Sequence, residues 1–273
     1  MEIGVLVMLR NGVDPFAVVR EHNFNTAQLQ NWDMSRYTDE NVAMVRRSAE
    51  EHKVKIAGFW GGYTGRRVWD PVQGPGTLGL VPPDLREQRI RELKKGADFA
   101  AAIGAPALIT HCGFIPESPA YSDYIPTLNA IHEVASYCRD LGIGFWFETG
   151  QETPLTLLRT IEDLNLPNLG INLDTANLIL YGRGNPVDAL DVFGKYVRNL
   201  HIKDGFFPNS SKELGKEVPV GQGRVDFDKV IAKLHDLGFT GELIIEREIS
   251  GEQQLKDSLL ARDYLNNILQ KYQ

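Results

Sequence analysis

Cysteine is scarce in this chain of 273 residues, which contains only Cys112 and Cys138. Two cysteines cannot build the disulfide framework of a small secreted domain, so we expect a reducing compartment, the cytoplasm. Long apolar runs are also missing, since no stretch approaches the ~20 residues that a membrane-spanning helix needs. The opening MEIGVLVML lacks the basic start and long apolar core of a signal peptide. The sequence therefore predicts a soluble protein without a membrane partner.

An excess of basic residues is absent as well. The chain has 29 Lys and Arg against 36 Asp and Glu, which gives a formal net charge of -7. A surface that follows a phosphate backbone needs clustered cations, so we expect no nucleic-acid partner. Neither a Gly-x4-Gly-Lys-Ser/Thr loop nor a Gly-x-Gly-x-x-Gly after the first strand occurs, and these are the common nucleotide-binding loops.

Short apolar runs alternate with helical patterns along the whole chain. Strands are predicted at 2–9, 26–30 (the weakest signal), 54–60 and 106–111, and four more end at residues 148, 174, 201 and 246. Helices are predicted at 14–22, 39–53, 84–103, 122–141, 153–164, 186–196, 226–237 and 252–272. Eight such pairs in about 270 residues predict an α/β fold, a single (β/α)8 TIM barrel. No linker or change in composition divides the chain, so one domain over 1–273 is expected.

Four ionisable side chains stand at the ends of the last four predicted strands: Glu148, Asp174, His201 and Glu246. The carboxyl ends of barrel strands meet at one mouth, where active sites lie. Three carboxylates gathered there repel one another unless a cation lies between them. Each residue alone is better explained as a solvated acid at a strand end or as a hydrogen-bonded histidine at the rim. The four together predict one divalent metal ion (Mn²⁺, Mg²⁺, Co²⁺ or Zn²⁺), because no thiolate joins the set.

Other side chains at the same mouth are candidates for binding substrate. Trp60 ends strand three and either forms an apolar wall against a bound ring or packs in the core. His111 ends strand four and either binds a substrate hydroxyl or makes a hydrogen bond within the rim. Lys203 and Asp204 either position substrate or form a solvated pair. Two residues before Asp174 and His201, Asn172 and Asn199 face the same way; they either orient the ligands or bond to each other.

Two long loops follow strands three and seven, at 61–83 and 205–225. Both emerge at the predicted mouth, and long loops in compact domains are often functional lids. The first carries Tyr63, Arg66, Arg67 and Trp69. This mixture suits a cover over a polar ligand, and it equally suits aromatic side chains that pack on the rim.

Five motifs resemble the xylose isomerase-like superfamily of sugar isomerases and epimerases. They are FETGQET (147–153), NLDTAN (172–177), HIKDG (201–205), GQGRVDF (221–227) and IIERE (244–248), and the resemblance covers nearly the whole chain in order. It implies a metal-dependent enzyme with a small carbohydrate substrate, phosphorylated or not. It also implies that Glu148, Asp174, His201 and Glu246 bind the metal and that the two glutamates exchange protons with the substrate. Relatives often pair, so homo-oligomer formation stays open.

The chemistry that this resemblance implies is proton transfer α to a carbonyl, through an enediolate that the metal stabilises. Return of the proton to the same carbon gives an epimer, and return to the neighbouring carbon gives an aldose–ketose isomer. An inosose-like dehydratase fits the same site. The related endonuclease branch uses more histidine ligands for three zinc ions, and a non-catalytic sugar-binding barrel has no need of both glutamates.

The chain departs from the sugar epimerases at two points. Asn177 stands where several of them carry a histidine, and an amide can bind a substrate hydroxyl but cannot titrate near neutral pH. Phe206 and Phe207 occupy the segment where the ketose epimerases have an arginine. These departures leave room for a different hydroxy-ketone, such as an oxidised or inositol-like sugar.

Overall fold

The computed structural model describes residues 1–272. Its central feature is a closed barrel of eight parallel strands in the order β1-β10-β7-β6-β5-β4-β3-β2. The barrel strands are β1 (Glu2–Met8), β2 (Thr26–Asn31), β3 (Lys55–Gly61), β4 (Ala107–Thr110), β5 (Gly144–Glu148), β6 (Leu169–Asp174), β7 (Val197–Ile202) and β10 (Glu242–Ile245). The short strands β8 (Asp204–Gly205) and β9 (Glu217–Val218) form an antiparallel pair outside it. The predicted (β/α)8 barrel is confirmed, including its weakly predicted second strand.

Helices cover the outside of the barrel. They are α1 (Ala17–Glu21), α2 (Asp39–His52), α3 (Pro83–Ala102), α4 (Tyr124–Asp140), α5 (Pro154–Leu164), α6 (Asn177–Leu180), α7 (Pro186–Phe193), α8 (Phe227–Asp236) and α9 (Glu252–Leu269). Their apolar faces pack on outward-facing strand residues such as Phe145, Leu173 and Leu200, all fully buried. None of the helices between residues 1 and 272 combines the length and the apolar character needed to cross a bilayer.

Local signals account for the helix boundaries. Asn185 accepts a hydrogen bond from the backbone N–H of Asp188 and so caps α7, which Pro186 begins. Gly104 and Gly142 follow helix ends with φ of +78° and +76°, which glycine adopts without steric cost. Helix α1 is shorter than predicted and begins at Ala17, because Asp14 accepts the backbone N–H groups of Phe16 and Ala17 before the first turn.

Three other expectations need correction. Glu246 and His111 each lie one residue beyond a strand, although the Glu246 N–H still donates to Ile202 O. The segment 205–225 contains strand β9 and is not a structureless loop. The predicted helix 186–196 ends at Phe193, and the short helix α6 precedes it.

Polar side chains fill the barrel interior beneath its carboxyl-terminal mouth. Gln28, Asn172 and Asn199 are each 0% exposed. Register pairs Asn172 with Asn199 and, two residues further along, Asp174 with His201. Because side chains alternate along a strand, this second pair faces the same way as the first, one layer nearer to the mouth.

Candidate active site

The structure brings the four predicted ligands together at the mouth. Each of Glu148, Asp174, His201 and Glu246 offers one donor atom, and the four atoms lie within 4.8 Å of one another. All four side chains are buried, with Glu246 the most accessible at 9% exposure. Their convergence follows from the barrel, because β5, β6, β7 and β10 are neighbours in the sheet.

His201 is oriented by a contact on each side of its ring. Its Nδ1 lies 2.9 Å from Glu148 Oε1 and 3.1 Å from Glu246 Oε2. Its Nε2 lies 2.6 Å from Gln28 Oε1, an amide oxygen that can only accept, so Nε2 carries a hydrogen. Burial lowers the pKa of His201, but Glu246 and Glu148 outweigh it and raise this pKa to about 10. Nδ1 is therefore the position where the cluster holds a proton, or a cation in its place.

Asp174 presents one oxygen to the same centre. Its Oδ1 accepts the backbone N–H groups of Ala176 at 2.8 Å and Asn177 at 2.7 Å, which fixes the carboxylate. Its Oδ2 has no hydrogen-bond partner within residues 1–272, although the Lys203 Nζ lies 3.0 Å away as an ion-pair contact. Burial raises the pKa of Asp174 to about 8, against the opposing effect of Lys203.

Glu148 is held on the side away from His201. The Trp60 indole N–H donates to Glu148 Oε2, and His111 Nε2 lies 3.4 Å from the same oxygen. Burial raises the pKa of Glu148, but His111 and His201 outweigh this effect, so the pKa is lowered overall. Burial lowers the pKa of His111, which keeps its ring neutral and able either to donate or to accept a hydrogen bond.

Lys203 is buried among carboxylates. Only 1% of the residue is exposed, and its Nζ lies 3.3 Å from Glu246 Oε2 and 2.8 Å from Glu248 Oε1, besides the contact with Asp174. The solvated-pair interpretation of Lys203 and Asp204 is wrong, because Asp204 is also 1% exposed. Asp204 accepts the backbone N–H groups of four residues after β7: Gly205, Gly221, Gly223 and Val225.

The donor set fits a divalent cation. The Lys203 ammonium and a protonated His201 are the cations that oppose the three carboxylates, so a divalent ion in place of the His201 proton neutralises the cluster. The free Asp174 Oδ2, the Nδ1 lone pair of neutral His201 and one oxygen from each glutamate are the hard and borderline ligands that Mn²⁺, Mg²⁺, Co²⁺ and Zn²⁺ accept. The geometry is thus compatible with the predicted metal site.

The cluster opens into a cavity of about 720 Å³. Trp60, His111 and Asn177 line it, as do Glu148 and Glu246. Lys203 is not part of this lining within the described chain; it contacts the carboxylates from behind. Three of the four predicted substrate-binding residues therefore face the cavity, and the fourth supports the ligands.

The 61–83 loop reaches the same cavity. Trp69 lies with its ring centre 5.3 Å from that of His111 and 6.1 Å from that of Trp32. Arg89 on α3, fully buried, donates to the backbone oxygens of Thr77 at 2.8 Å and Gly79 at 2.7 Å and stacks on Tyr63. The loop therefore forms a wall of the site and is not a loose surface segment.

Sequence reasoning missed Gln28, Trp32, Arg89 and Glu248. The signal for Gln28 was the alternation in TAQLQN, with polar residues at every second position. Gln28 also links the site to the layer below, since its Nε2 lies 3.5 Å from Asn172 Oδ1. Asn199 donates instead to Ala57 O at 3.2 Å. Asn172 thus supports His201 through Gln28, whereas Asn199 stabilises the backbone of β3.

Comparison with known protein families identifies the family of this chain. The sequence profile of the xylose isomerase-like TIM barrel matches residues 16–266. The chain belongs to this family. A xylose isomerase domain protein from Planctomyces limnophilus is 34% identical, with a TM-score of 0.93 over 99% of this chain and 98% of that one.

Other similar proteins are more distant. A ketose 3-epimerase from Arthrobacter globiformis is 27% identical over 168 residues, 56% of this chain and 53% of its own. An inosose dehydratase from Geobacillus kaustophilus is 28% identical over 145 residues, 46% of each chain. The chain thus matches about half the length of these two. A structure from Mycobacterium smegmatis in complex with magnesium is 19% identical, with a TM-score of 0.67 over 92% of this chain and 85% of that one.

Proposed function

We propose that this protein is a divalent-metal-dependent sugar isomerase or epimerase. The observation that supports this most directly is the cluster of Glu148, Asp174, His201 and Glu246, with Gln28 turning the His201 Nδ1 lone pair towards the carboxylates. A bound divalent ion supplies a Lewis acid that stabilises negative charge developing on a substrate carbonyl oxygen. The family relatives include a ketose 3-epimerase and a complex with magnesium, which agrees with both parts of the proposal.

The two glutamates are proposed to move the proton. Glu148 and Glu246 both contact His201 Nδ1, at 2.9 and 3.1 Å, and both line the cavity. The pKa of each is lowered, because His111 and His201 beside Glu148, and Lys203 and His201 beside Glu246, outweigh the effect of burial; each is therefore ionised at neutral pH and can accept a proton. A carboxylate on each side of a bound sugar allows removal from one face and return at the other. Trp60 and His111 hold Glu148 in position, and Lys203 holds Glu246.

A dehydratase is the second candidate, favoured by the similarity to an inosose dehydratase. His111 adds a physical reason, because a ring nitrogen 3.4 Å from Glu148 can pass a proton to a departing hydroxyl. Loss of water gives a conjugated product that absorbs ultraviolet light, whereas isomerisation and epimerisation do not.

The proposal is tested by solvent-proton exchange. Purified protein with Mn²⁺ is incubated with a panel of ketoses and inososes in deuterated water, and deuterium in the recovered sugar is measured by NMR. We expect exchange in the native protein and at least a ~100-fold loss in Glu246→Gln, the range of a general acid–base group. Metal content is measured in parallel: about one divalent ion per chain, lost in His201→Ala, supports the site. Undiminished exchange in Glu246→Gln contradicts the assigned role, and about three zinc ions per chain indicate the endonuclease branch instead.

A further inference from the structure

The cavity extends well beyond the metal cluster. Its volume of about 720 Å³ lies in the range of roughly 300–1,000 Å³ that is typical of clefts for drug-sized ligands. A single hexose occupies on the order of 200 Å³, if each heavy atom takes a little over half of the ~30 Å³ share of a liquid water. One sugar ring at the cluster therefore leaves most of this cavity free.

Most of the residues that line the free part of the cavity lie on one side of the barrel. Strand β1 stands between β10 and β2, so the segments that follow these three strands are neighbours at the rim. They line the outer vestibule, which we define by its apolar members Met8, Val13, Pro15, Val18, Trp32 and Ile249. Met8, Val13 and Val18 are 40%, 50% and 46% exposed. The vestibule thus offers apolar surface, open to water and continuous with the inner end of the cavity, with charged side chains such as Arg10 and Arg247 beside it.

The vestibule is held in shape before any ligand arrives. Asp14 accepts the backbone N–H groups of Phe16 at 3.0 Å and Ala17 at 3.1 Å, and its other oxygen lies 2.8 Å from His52 Nε2. These contacts fix the segment that carries Val13, Pro15 and Val18. A preformed surface loses little conformational entropy on binding, as expected of a ligand subsite.

The two ends of the cavity suit different chemistry. Hydroxyl groups find partners at the inner end, where His111, Asn177 and the glutamates lie. The vestibule offers methyl, thioether and indole surface, which favours the flat apolar face of a ring. Resting on the proposed function, we infer that the substrate is a glycoside of an oxidised sugar: the sugar, whose ring ketone makes the neighbouring proton acidic, lies at the metal cluster, and the aglycone places a ring face in the vestibule.

Binding of non-reacting ligands tests this inference independently of turnover. Phenyl β-D-glucopyranoside and methyl β-D-glucopyranoside are titrated calorimetrically into the protein with Mn²⁺, and cellobiose gives a third arm. We expect the phenyl glycoside to bind at least about tenfold more tightly than the methyl glycoside, as burial of an aromatic ring predicts. If cellobiose binds more tightly than the phenyl glycoside, the inference holds and the ring in the vestibule is a second sugar.

The variants Val13→Ser and Val18→Ser, combined in one protein, are expected to reduce the ring-dependent gain to about threefold or less. Both side chains are about half exposed, so the fold tolerates the change. Leu260→Ser, on α9 and 56% exposed, is a control outside the cavity and should keep the full gain.

Equal affinity for the phenyl and methyl glycosides overturns the inference, as does a gain that the double variant leaves unchanged. Sedimentation of the same samples adds a further outcome: a dimer that dissociates only in the double variant, with affinities unaltered, assigns the vestibule to contact with a second copy and also overturns it. None of these results depends on proton exchange. Failure of the glycoside inference therefore leaves the isomerase proposal intact, and failure of the isomerase proposal is recognised separately, by the absence of proton exchange.

Discussion

The side-chain oxygen of Gln28 lies 2.6 Å from Nε2 of His201, and this contact determines which ring nitrogen faces the three carboxylates. An amide oxygen accepts a hydrogen bond and cannot donate one. The Nε2–H group of His201 therefore donates its hydrogen bond to Gln28, and Nδ1 is available to bind a cation.

Replacing Gln28 with leucine should weaken metal binding by about 10–100-fold, the usual effect of losing a partner that orients a metal-binding histidine. The ring loses the acceptor that fixes its tautomer, while the four ligands stay in the protein. Calorimetric titration of Mn²⁺ into metal-free protein measures the change. Gln88→Leu, on the exposed surface of α3, is the control and should bind Mn²⁺ like the native protein. An unchanged Kd in Gln28→Leu contradicts the assigned role of this contact.

Replacing Lys203 with methionine should destabilise the metal-free protein by about 3 kcal/mol or more, because it leaves Asp174, Glu246 and Glu248 without their shared cation. For a chain of this size the Tm falls by roughly 6–12 °C. Added Mn²⁺ should raise the Tm of this variant by more than it raises that of the native protein, since the ion supplies the missing charge.

The control for Lys203→Met is Lys229→Met. Lys229 pairs with Asp226 on the surface, where water screens the two charges, so its loss should leave the Tm nearly unchanged. Equal Tm values for the two variants in the metal-free state would show that Lys203 does not compensate the buried carboxylates.

Gly223→Ala should disrupt the segment after β7. A Cβ atom at residue 223 would lie 2.1 Å from Asp204 Oδ1, so the carboxylate has to release backbone N–H groups that it holds. We expect a Tm lower by several degrees and faster proteolysis within 205–225, since overpacking of a buried contact costs about 1–3 kcal/mol. Gly76→Ala meets nothing within 4 Å and should behave like the native protein. Slow cleavage of Gly223→Ala under native conditions would argue against this role of Asp204.

Asp14 should make stability depend on acid pH. Slight burial raises its pKa, but hydrogen bonds from Ser48, His52 and the backbone N–H groups of Phe16 and Ala17 lower it to about 2 overall. A carboxyl whose folded-state pKa is depressed stabilises the fold above its unfolded pKa of about 4, and this contribution is lost as the pH falls towards 2. Because the side chain is 41% exposed, we discount the effect for solvent screening to about 1 kcal/mol.

Urea unfolding of native protein and Asp14→Asn measures this contribution. The native protein should be more stable by about 1 kcal/mol at pH 7, and the difference should shrink as the pH falls from 4 to 2. A difference that stays constant over this window would assign the effect to packing and not to the charge.

The sequence predicted the clustering of side chains correctly where ionisable residues stand at the ends of predicted strands. Acids and a histidine at strand ends predicted the cluster because a parallel barrel gathers those ends at one mouth. Gln28 could not be predicted as a site residue, because alternating polar residues in a strand usually face water. Here they face a polar barrel interior. Trp69 and Arg89 depend on how a long loop folds back, and periodicity contains no such information. The cytoplasmic location, the single domain over 1–273 and homo-oligomer formation stay predictions.

The positions of the tryptophans make intrinsic fluorescence a reporter of the cavity. Of its four tryptophans, Trp32, Trp60 and Trp69 line the substrate cavity, whereas Trp146 lies beside Arg198 in a separate pocket. Trp60 also donates to Glu148, so its emission responds to the charge on a proposed catalytic group. Light at the long-wavelength edge of tryptophan absorption thus excites mainly indoles that line the cavity, and filling of the cavity can be followed in unlabelled protein.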